Sequence, residues 1–209
     1  MQCPTWLYRT VNIKNINEIQ KEFLDIAYTT ITDFENRDTN YFRLDHYLII
    51  KKAPIFINLL KKLELYDRWL SDADTQRNAY TGLVTTNNGV VFPMHKDFRD
   101  WKQRTYSLNF PLINCEDSYT VWYDSKIELT PPPLDDSKNQ AASFWSDEGA
   151  IELGRMPATQ TAFLNLSIPH RPVSYHNKIR SIVTTRFSPE IHELFDEDGN
   201  FLKKHLLEE

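Results

Sequence analysis

The chain has 209 residues, of which 41% are hydrophobic and 25% are charged, and its formal net charge at neutral pH is −5. This length and composition are typical of one ordinary soluble globular domain, residues 1–209, with a sizeable core. The acidic balance, without a long basic run, argues against nucleic acid held by its phosphates.

Two cysteines, Cys3 and Cys115, without a Cys-x-x-Cys pair, do not form a disulfide framework, so we expect both to be reduced thiols. No run of about 18 apolar residues occurs, and residues 1–14 lack the apolar core of a signal peptide. We therefore expect no membrane partner and a cytoplasmic protein. The sequence does not indicate an oligomeric state.

Residues 1–74 are predicted to be mainly helical and to pack on the rest of the chain. Apolar residues at helical spacing predict a first helix over 17–32. Aromatic and β-branched residues predict a strand within 41–50. Pro54, which suits the first turn of a helix, begins a second helix predicted over 54–70.

Residues 75–188 show a different pattern, in which short β-prone stretches alternate with turn signals. The predicted strands are 79–86, 90–97, 104–113, 119–124, 127–130, 144–146, 150–153, 161–166, 168–173 and 179–187. Many short strands with regular turns indicate a β-sandwich or barrel. The polar tail, 189–209, is predicted to be a short helix or a frayed end.

A His-x-Asp motif, His95-Lys96-Asp97, lies in one of these strands. Side chains two apart in a strand point to the same face, so His95 and Asp97 project together and Lys96 points away. An imidazole and a carboxylate side by side are two thirds of the 2-His-1-carboxylate triad that binds non-haem Fe(II). The motif alone is a weak signal, because a His beside an Asp is commonly a surface pair.

A later stretch supplies a third ligand and an anion-binding group. His170 lies in a predicted strand, and Arg180 follows it in the next one. A turn around 176–178 is predicted to fold the first strand back against the second, bringing both residues toward one pocket. A guanidinium there would match the far carboxylate of a 2-oxoacid with two charge-assisted hydrogen bonds. A shifted register, His176 with Arg186, stays open; we prefer His170 because His176 falls in the turn.

The pattern His95-x-Asp97…His170…Arg180 resembles the Fe(II)/2-oxoglutarate-dependent dioxygenase superfamily over residues 79–187, about half the chain. Two segments, 106–112 and 168–173, also resemble small, poorly characterised dioxygenase-like proteins of phage and bacterial genomes. The resemblance implies a mainly β fold with flanking helices, in which 75–188 form a double-stranded β-helix, or jelly-roll, core.

The same resemblance implies the chemistry. His95, Asp97 and His170 would be the catalytic iron ligands, and Arg180 would bind the far carboxylate of the cosubstrate. The implied cofactors are Fe(II), 2-oxoglutarate and O₂, with ascorbate as a stimulant. Oxidative decarboxylation of 2-oxoglutarate would drive hydroxylation of an amino-acid side chain, free or peptidyl, or of a small metabolite.

Two polar residues of the predicted strand 104–113 are further candidates for cosubstrate binding. The hydroxyl of Tyr106 or the amide of Asn109 could hydrogen-bond a carboxylate, although a satisfied core tyrosine or a strand-edge asparagine is an equally good interpretation. Alternation puts the two residues on opposite faces, with Tyr106 beside Leu108 and Phe110, and Asn109 beside Ser107.

One departure from the superfamily pattern is visible. Many members carry Ser or Thr two residues after the arginine, where its hydroxyl also touches the cosubstrate, and this chain has Ile182. A catalytically inactive binding or structural protein of the same fold is therefore an alternative. A cupin-like enzyme using another metal is a weaker one, because cupins usually offer a Glu after the first motif and 98–103 contain none.

Overall fold

The structure is a computed structural model that describes residues 7–31, 40–74, 80–86, 92–97, 106–129, 143–175 and 178–187. Within these ranges the helices are α1 (Ile16–Thr30), α2 (His46–Lys52), α3 (Pro54–Lys62) and α4 (Tyr66–Asp74). The strands are β1 (Tyr8–Thr10), β2 (Asn40–Arg43), β3 (Tyr80–Thr86), β4 (His95–Lys96), β5 (Tyr106–Ile113), β6 (Ser118–Asp124), β7 (Glu128–Leu129), β8 (Ser143–Trp145), β9 (Ile151–Pro157), β10 (Ala162–Asn165), β11 (His170–Ser174) and β12 (Arg180–Phe187).

The strands form two antiparallel sheets of six strands each. Sheet I has the order β1-β10-β5-β12-β3-β2, and sheet II has the order β7-β8-β4-β11-β6-β9. Successive strands from β3 to β6, and again from β9 to β12, alternate between the two sheets. This winding is that of a jelly roll. The prediction of a mainly β fold with a jelly-roll core and flanking helices is therefore confirmed.

The helices cover one face of sheet I because α1, α3 and α4 each present an apolar side. In α1 the buried residues recur at helical spacing, and Phe23 among them packs its ring 5.0 Å from Phe56 of α3. Phe56 also lies 5.8 Å from Phe110 of β5 and 6.4 Å from Trp69 of α4, measured between ring centroids. These aromatic contacts join the helices to the sheet.

A polar contact fixes α3 against α1. The carboxylate of Glu22 in α1 accepts hydrogen bonds from the backbone N–H groups of Ile55 and Phe56, at 2.8 and 3.0 Å. These N–H groups belong to the first turn of α3 and have no partner within the helix. A carboxylate at this end also interacts favourably with the helix dipole.

Among the described residues, the structure has no helix that is both long and apolar enough to span a bilayer.

The N-terminal part differs from prediction in three places. The strand predicted within 41–50 ends at Arg43, and α2 begins at His46, because the carboxylate of Asp45 caps the helix by accepting the N–H of Leu48 at 2.9 Å. The second predicted helix is divided into α3 and α4 near Glu64, whose φ of 56° is left-handed. Strand β1 was not predicted.

The predicted pairing of the His and Arg strands is wrong. β11 and β12 lie in different sheets, because β12 is paired along both edges, with β3 and β5. β11 pairs instead with β4 and β6. Residues 176–177 of the predicted turn, and the predicted tail 189–209, lie outside the described residues.

Candidate metal and cosubstrate site

Three potential metal ligands converge where β4 pairs with β11, in the middle of sheet II. His95 and His170 are directly opposite each other in this antiparallel pair, so their side chains project from the same face. Asp97 follows β4 and lies on the same side as His95. The candidate ligand atoms of the three residues lie within 4.8 Å of one another, and Nε2 of His95 is 3.4 Å from Oδ1 of Asp97.

Both imidazoles have Nε2 available for a metal, because each Nδ1 contacts a backbone carbonyl. Nδ1 of His95 lies 2.9 Å from the carbonyl oxygen of Pro93, and Nδ1 of His170 lies 2.8 Å from the carbonyl oxygen of Ile168. A carbonyl only accepts, so each Nδ1 carries the proton and donates it. The Nε2 lone pairs are consequently free for a metal, and the two backbone carbonyls fix the ring orientations.

Arg186 holds the carboxylate of Asp97 from the other side. Its Nη2 is 2.7 Å from Oδ2 of Asp97, a contact that is an ion pair by distance without hydrogen-bond alignment. Burial alone would raise the pKa of Asp97, but Arg186, followed by His95 and His170, holds this pKa well below its usual range. The carboxylate is therefore ionised at neutral pH, the form that binds a cation.

The environment of His170 favours the neutral imidazole. This side chain is 4% exposed, and its burial, with the nearby imidazole of His95, lowers its pKa to about 4. The adjacent Asp97 carboxylate opposes that shift without cancelling it. At neutral pH the site thus offers a carboxylate and an unprotonated buried imidazole, as metal binding requires.

Arg180 lies on the same face of β12 as Arg186, at the opposite end of the strand. It is 1% exposed, and among the described residues its Nε and Nη1 have no hydrogen-bond partner. Its guanidinium pairs with no carboxylate of the described residues. Burial lowers the pKa of Arg180, but a guanidinium stays charged in proteins. A buried cation of this kind is costly unless an anion compensates it.

Polar groups line the interior face of sheet I between the two arginines. Ser107 of β5 is opposite Arg186, and Asn109 is opposite Thr184. Neither Oγ of Ser107 nor Oδ1 of Asn109 has a hydrogen-bond partner among the described residues, although both atoms are buried. Buried polar atoms are almost always hydrogen-bonded, so this face has the character of a ligand site.

The structure separates the two cosubstrate candidates of β5. Asn109 faces the interior between the sheets, whereas Tyr106 belongs to the hydrophobic cluster that the helices cover, together with Leu108 and Phe110. The alternation predicted for this strand is thus observed, and Tyr106 lies on the face away from the metal ligands. His176 lies outside the described residues.

Two neighbours of the site were not anticipated from sequence in the positions they occupy. The sequence indicates Arg186 only as an alternative anchor, although alternation along β12 puts it on the same face as Arg180. For Cys115 the sequence predicts only a reduced thiol, and in the structure it is buried with its Sγ donating to the carbonyl of Ser181 at 3.1 Å. No sequence signal places Cys115 beside Ser181, because this contact joins the turn after β5 to the start of β12.

No family model matches the sequence, and no curated protein matches it. Among solved structures, the chain is similar to HygX from Streptomyces hygroscopicus with nickel and 2-oxoglutarate bound, at 11% identity, with a TM-score of 0.47 and coverage of 90% of this chain and 84% of HygX.

It is also similar to SnoK, a non-heme alpha ketoglutarate dependent carbocyclase from nogalamycin biosynthesis, at 9% identity and with a TM-score of 0.49. The match covers 88% of this chain and 78% of SnoK. The chain is similar to a Pseudomonas putida prolyl-4-hydroxylase at 12% identity and with a TM-score of 0.48. The match covers 89% of this chain and 94% of the hydroxylase. At these identities the likeness concerns the course of the backbone and not the residues of any site.

Proposed function

We propose that the chain is a non-haem Fe(II)- and 2-oxoglutarate-dependent oxygenase. The observation that carries the proposal is the convergence of two imidazoles and one carboxylate, His95, His170 and Asp97, within 4.8 Å. Two neutral nitrogens and one anionic oxygen on one side suit Fe(II) and leave its other positions open for substrate chemistry. Zinc sites that are purely structural, in contrast, are closed by four protein ligands.

The buried Arg180 supports a dianionic cosubstrate. The far carboxylate of 2-oxoglutarate would compensate the guanidinium, whose Nε and Nη1 have no partner among the described residues. Arg186 is a poorer anchor for the cosubstrate, because its guanidinium already forms an ion pair with Asp97, with Nη2 2.7 Å from Oδ2. The amide of Asn109, whose Oδ1 is buried without a partner, would contact the cosubstrate between the metal and Arg180.

The protein residues would contribute positioning and electrostatics. His95 and His170 present Nε2 in a fixed orientation, and Arg186 orients the Asp97 carboxylate so that Oδ1 faces the imidazoles. Asp97 and His170 are buried, and this burial would limit the access of water to the metal. When bound, Fe(II) and 2-oxoglutarate supply the oxidising chemistry, in which O₂ is reduced and the cosubstrate is converted to succinate and CO₂.

We propose hydroxylation of an amino-acid side chain, free or peptidyl, or of a small metabolite as the outcome. The amino-acid class is preferred by analogy with the superfamily, which is a fold-level inference. Ascorbate would support turnover by keeping the iron reduced.

The deciding experiment is an anaerobic titration of Fe(II) into the protein, with and without 2-oxoglutarate, followed by visible absorption. A weak charge-transfer band that appears only when both are present, and that His170→Ala abolishes, would support the proposal. Succinate release with Fe(II), ascorbate and 2-oxoglutarate in air then tests turnover. A protein that retains no Fe(II) and shows no band would instead be an inactive jelly-roll scaffold.

A further inference from the structure

A row of side chains crosses sheet II on the face that carries the metal ligands. His95 of β4 lies opposite His170 on one side and opposite Phe144 of β8 on the other, and Phe144 lies opposite Leu129 of β7. Residues directly opposite each other in an antiparallel pair project from the same face. Neighbouring strands lie about 5 Å apart, so Phe144 is one strand and Leu129 two strands from His95. The two imidazoles thus have an apolar continuation toward the β7 edge of the sheet.

The two ends of this row differ in exposure. On the β6 side the row continues with Trp122, opposite His170, which is fully buried in a hydrophobic cluster with Met156 and other residues. On the other side Phe144 is half-buried and Leu129 is 44% exposed. In the described part of the chain, neither of these two residues packs into a hydrophobic core cluster. The site is therefore filled by protein on the β6 side and open on the β7 side.

A second aromatic ring lies at the open side. The ring of Phe92, itself half-buried, is 5.9 Å from that of His95 between centroids. The charged residues of the neighbouring strands are on the opposite face of the sheet, where Lys96 lies 4.0 Å over the ring of Trp145 and Glu128 is opposite Trp145. Beside the metal ligands, the described residues of β4, β7 and β8 therefore put no charge on this face.

The exposure of the ligands indicates the same direction of access. The side chain of His95 is 14% exposed, whereas that of Asp97 is 3% exposed. His95 is also the ligand that Phe92 and Phe144 flank. Arg180, the proposed anchor of the cosubstrate, is in sheet I. A second ligand can thus reach the metal from the His95 side without passing the Arg180 end of the site.

We propose that Phe92, Phe144 and Leu129, here called the apolar wall, bind the primary substrate and select one whose reacting end is an aliphatic or aromatic side chain of a free or peptidyl amino acid. This inference rests on the proposed function. Contact with an apolar surface favours an apolar group, because both surfaces leave water. A charged or amide side chain would lose its hydration there without gaining a hydrogen bond from the wall.

Four probes that differ only in the side chain test this selectivity. N-acetyl-L-leucinamide and N-acetyl-L-phenylalaninamide are apolar, and N-acetyl-L-glutaminamide and N-acetyl-L-lysinamide are polar. Phe144→Ser and Leu129→Ser each make the wall more polar, and Leu129 is exposed enough that its replacement leaves the fold intact. The matched control is Ile151→Ser, because Ile151 is an exposed aliphatic residue of β9, at the opposite edge of sheet II.

The measurement is proton NMR of each probe with the protein loaded with Fe(II) and 2-oxoglutarate under argon. The unpaired electrons of Fe(II) shift and broaden the signals of probe protons close to the metal, and the Zn(II)-loaded protein is the diamagnetic reference. We expect the side-chain protons of the two apolar probes to shift most, with Kd values at least about tenfold lower than those of the polar probes.

The variants locate the binding. Phe144→Ser should weaken the apolar probes about tenfold and Leu129→Ser about threefold, because the half-buried ring offers more contact than the exposed side chain. Ile151→Ser should change no probe. The Kd values of Fe(II) and 2-oxoglutarate should stay the same in all three variants.

Three results would overturn the inference and leave the proposed function standing. They are equal or tighter binding of the polar probes, apolar probes that bind Phe144→Ser and Leu129→Ser as they bind the unchanged protein, and no probe near the metal of a protein that binds both Fe(II) and 2-oxoglutarate. If the unchanged protein binds Fe(II) but no 2-oxoglutarate, the proposed function itself fails. The probe shifts measured with Fe(II) alone then still report whether the apolar wall binds apolar groups.

Discussion

Nη2 of Arg186 lies 2.7 Å from Oδ2 of Asp97, while Oδ1 of the same carboxylate lies 3.4 Å from Nε2 of His95. One carboxylate thus divides its two oxygens between a cation of the protein and the point where the imidazoles converge. The two residues come from different sheets, since Arg186 is in β12 and Asp97 follows β4. The ion pair therefore also links the two sheets at this end.

Replacing Arg186 should weaken metal binding. In Arg186→Met the Asp97 carboxylate loses the cation that orients it and keeps its pKa low, so we expect Fe(II) affinity to fall about 10- to 100-fold. Isothermal titration of Fe(II) under argon measures this change. Arg155→Met is the control, because Arg155 is an exposed arginine paired with Glu152. Equal affinities in both variants would refute the orienting role.

Removing any one ligand should abolish tight metal binding. His95→Ala, Asp97→Ala and His170→Ala each leave two of the three donors, and we expect no stoichiometric Fe(II) after dialysis and metal analysis. The comparison is His46→Ala, because His46 lies at the start of α2, away from the three ligands. Stoichiometric iron in both His95→Ala and Asp97→Ala would sink the assigned triad.

Arg180 should matter for the cosubstrate and not for the metal. Arg180→Met removes the buried guanidinium, and we expect the Kd of 2-oxoglutarate to rise about 100-fold or more, the usual cost of losing one partner of a buried charged pair. The Kd of Fe(II) should stay unchanged. Both constants come from the anaerobic titration described above. Unchanged 2-oxoglutarate binding in this variant would show that another residue is the anchor.

The metal-free protein should lose stability in mild acid because of His170. Its pKa is lowered to about 4 in the folded state from an ordinary value of 6.5, so between these pH values the unfolded chain binds a proton that the folded protein does not. The free energy of unfolding should therefore fall as pH drops through this window, by up to about 3 kcal/mol at its lower end. Above it, His170 contributes no pH dependence.

Urea denaturation with a chelator, in steps between neutral pH and the lower end of that window, measures the loss. His170→Asn has no titrating group at this position, so its free energy of unfolding should fall less steeply than that of the unchanged protein. Parallel curves for the two proteins would mean that His170 titrates normally when buried.

The aromatic contacts under the helices should carry much of the stability. Phe56 is fully buried among Phe23, Phe110 and Trp69, so Phe56→Ala should lower the free energy of unfolding by about 3–5 kcal/mol. Tyr47→Ala, at a side chain that is 69% exposed, should change it by less than about 0.5 kcal/mol. Urea denaturation at neutral pH checks both values, and a small effect at Phe56 would mean that the helices are not held by this cluster.

Much of the fold was accessible from local pattern. The helical spacing of Ile19, Phe23 and Ile26 predicted α1, and alternation with turn signals predicted the succession of strands in the core. Predictions from local pattern failed where a side-chain cap or an unusual backbone conformation set the boundary of a helix. The Asp45 cap turned a β-prone stretch into α2, and the left-handed backbone at Glu64 divided one predicted helix into two.

For the site, the sequence by itself determined which side chains share a face, because the period of a strand is two residues whatever it pairs with. That was enough to put His95 with Asp97, and Ser107 with Asn109 apart from Tyr106. Only the tertiary structure decided that β11 and β12 lie in opposite sheets, that Arg186 meets Asp97, and that the Cys115 thiol donates to the carbonyl of Ser181. These contacts join residues that are far apart in the chain. They depend on the order of the strands in each sheet, which no local pattern specifies.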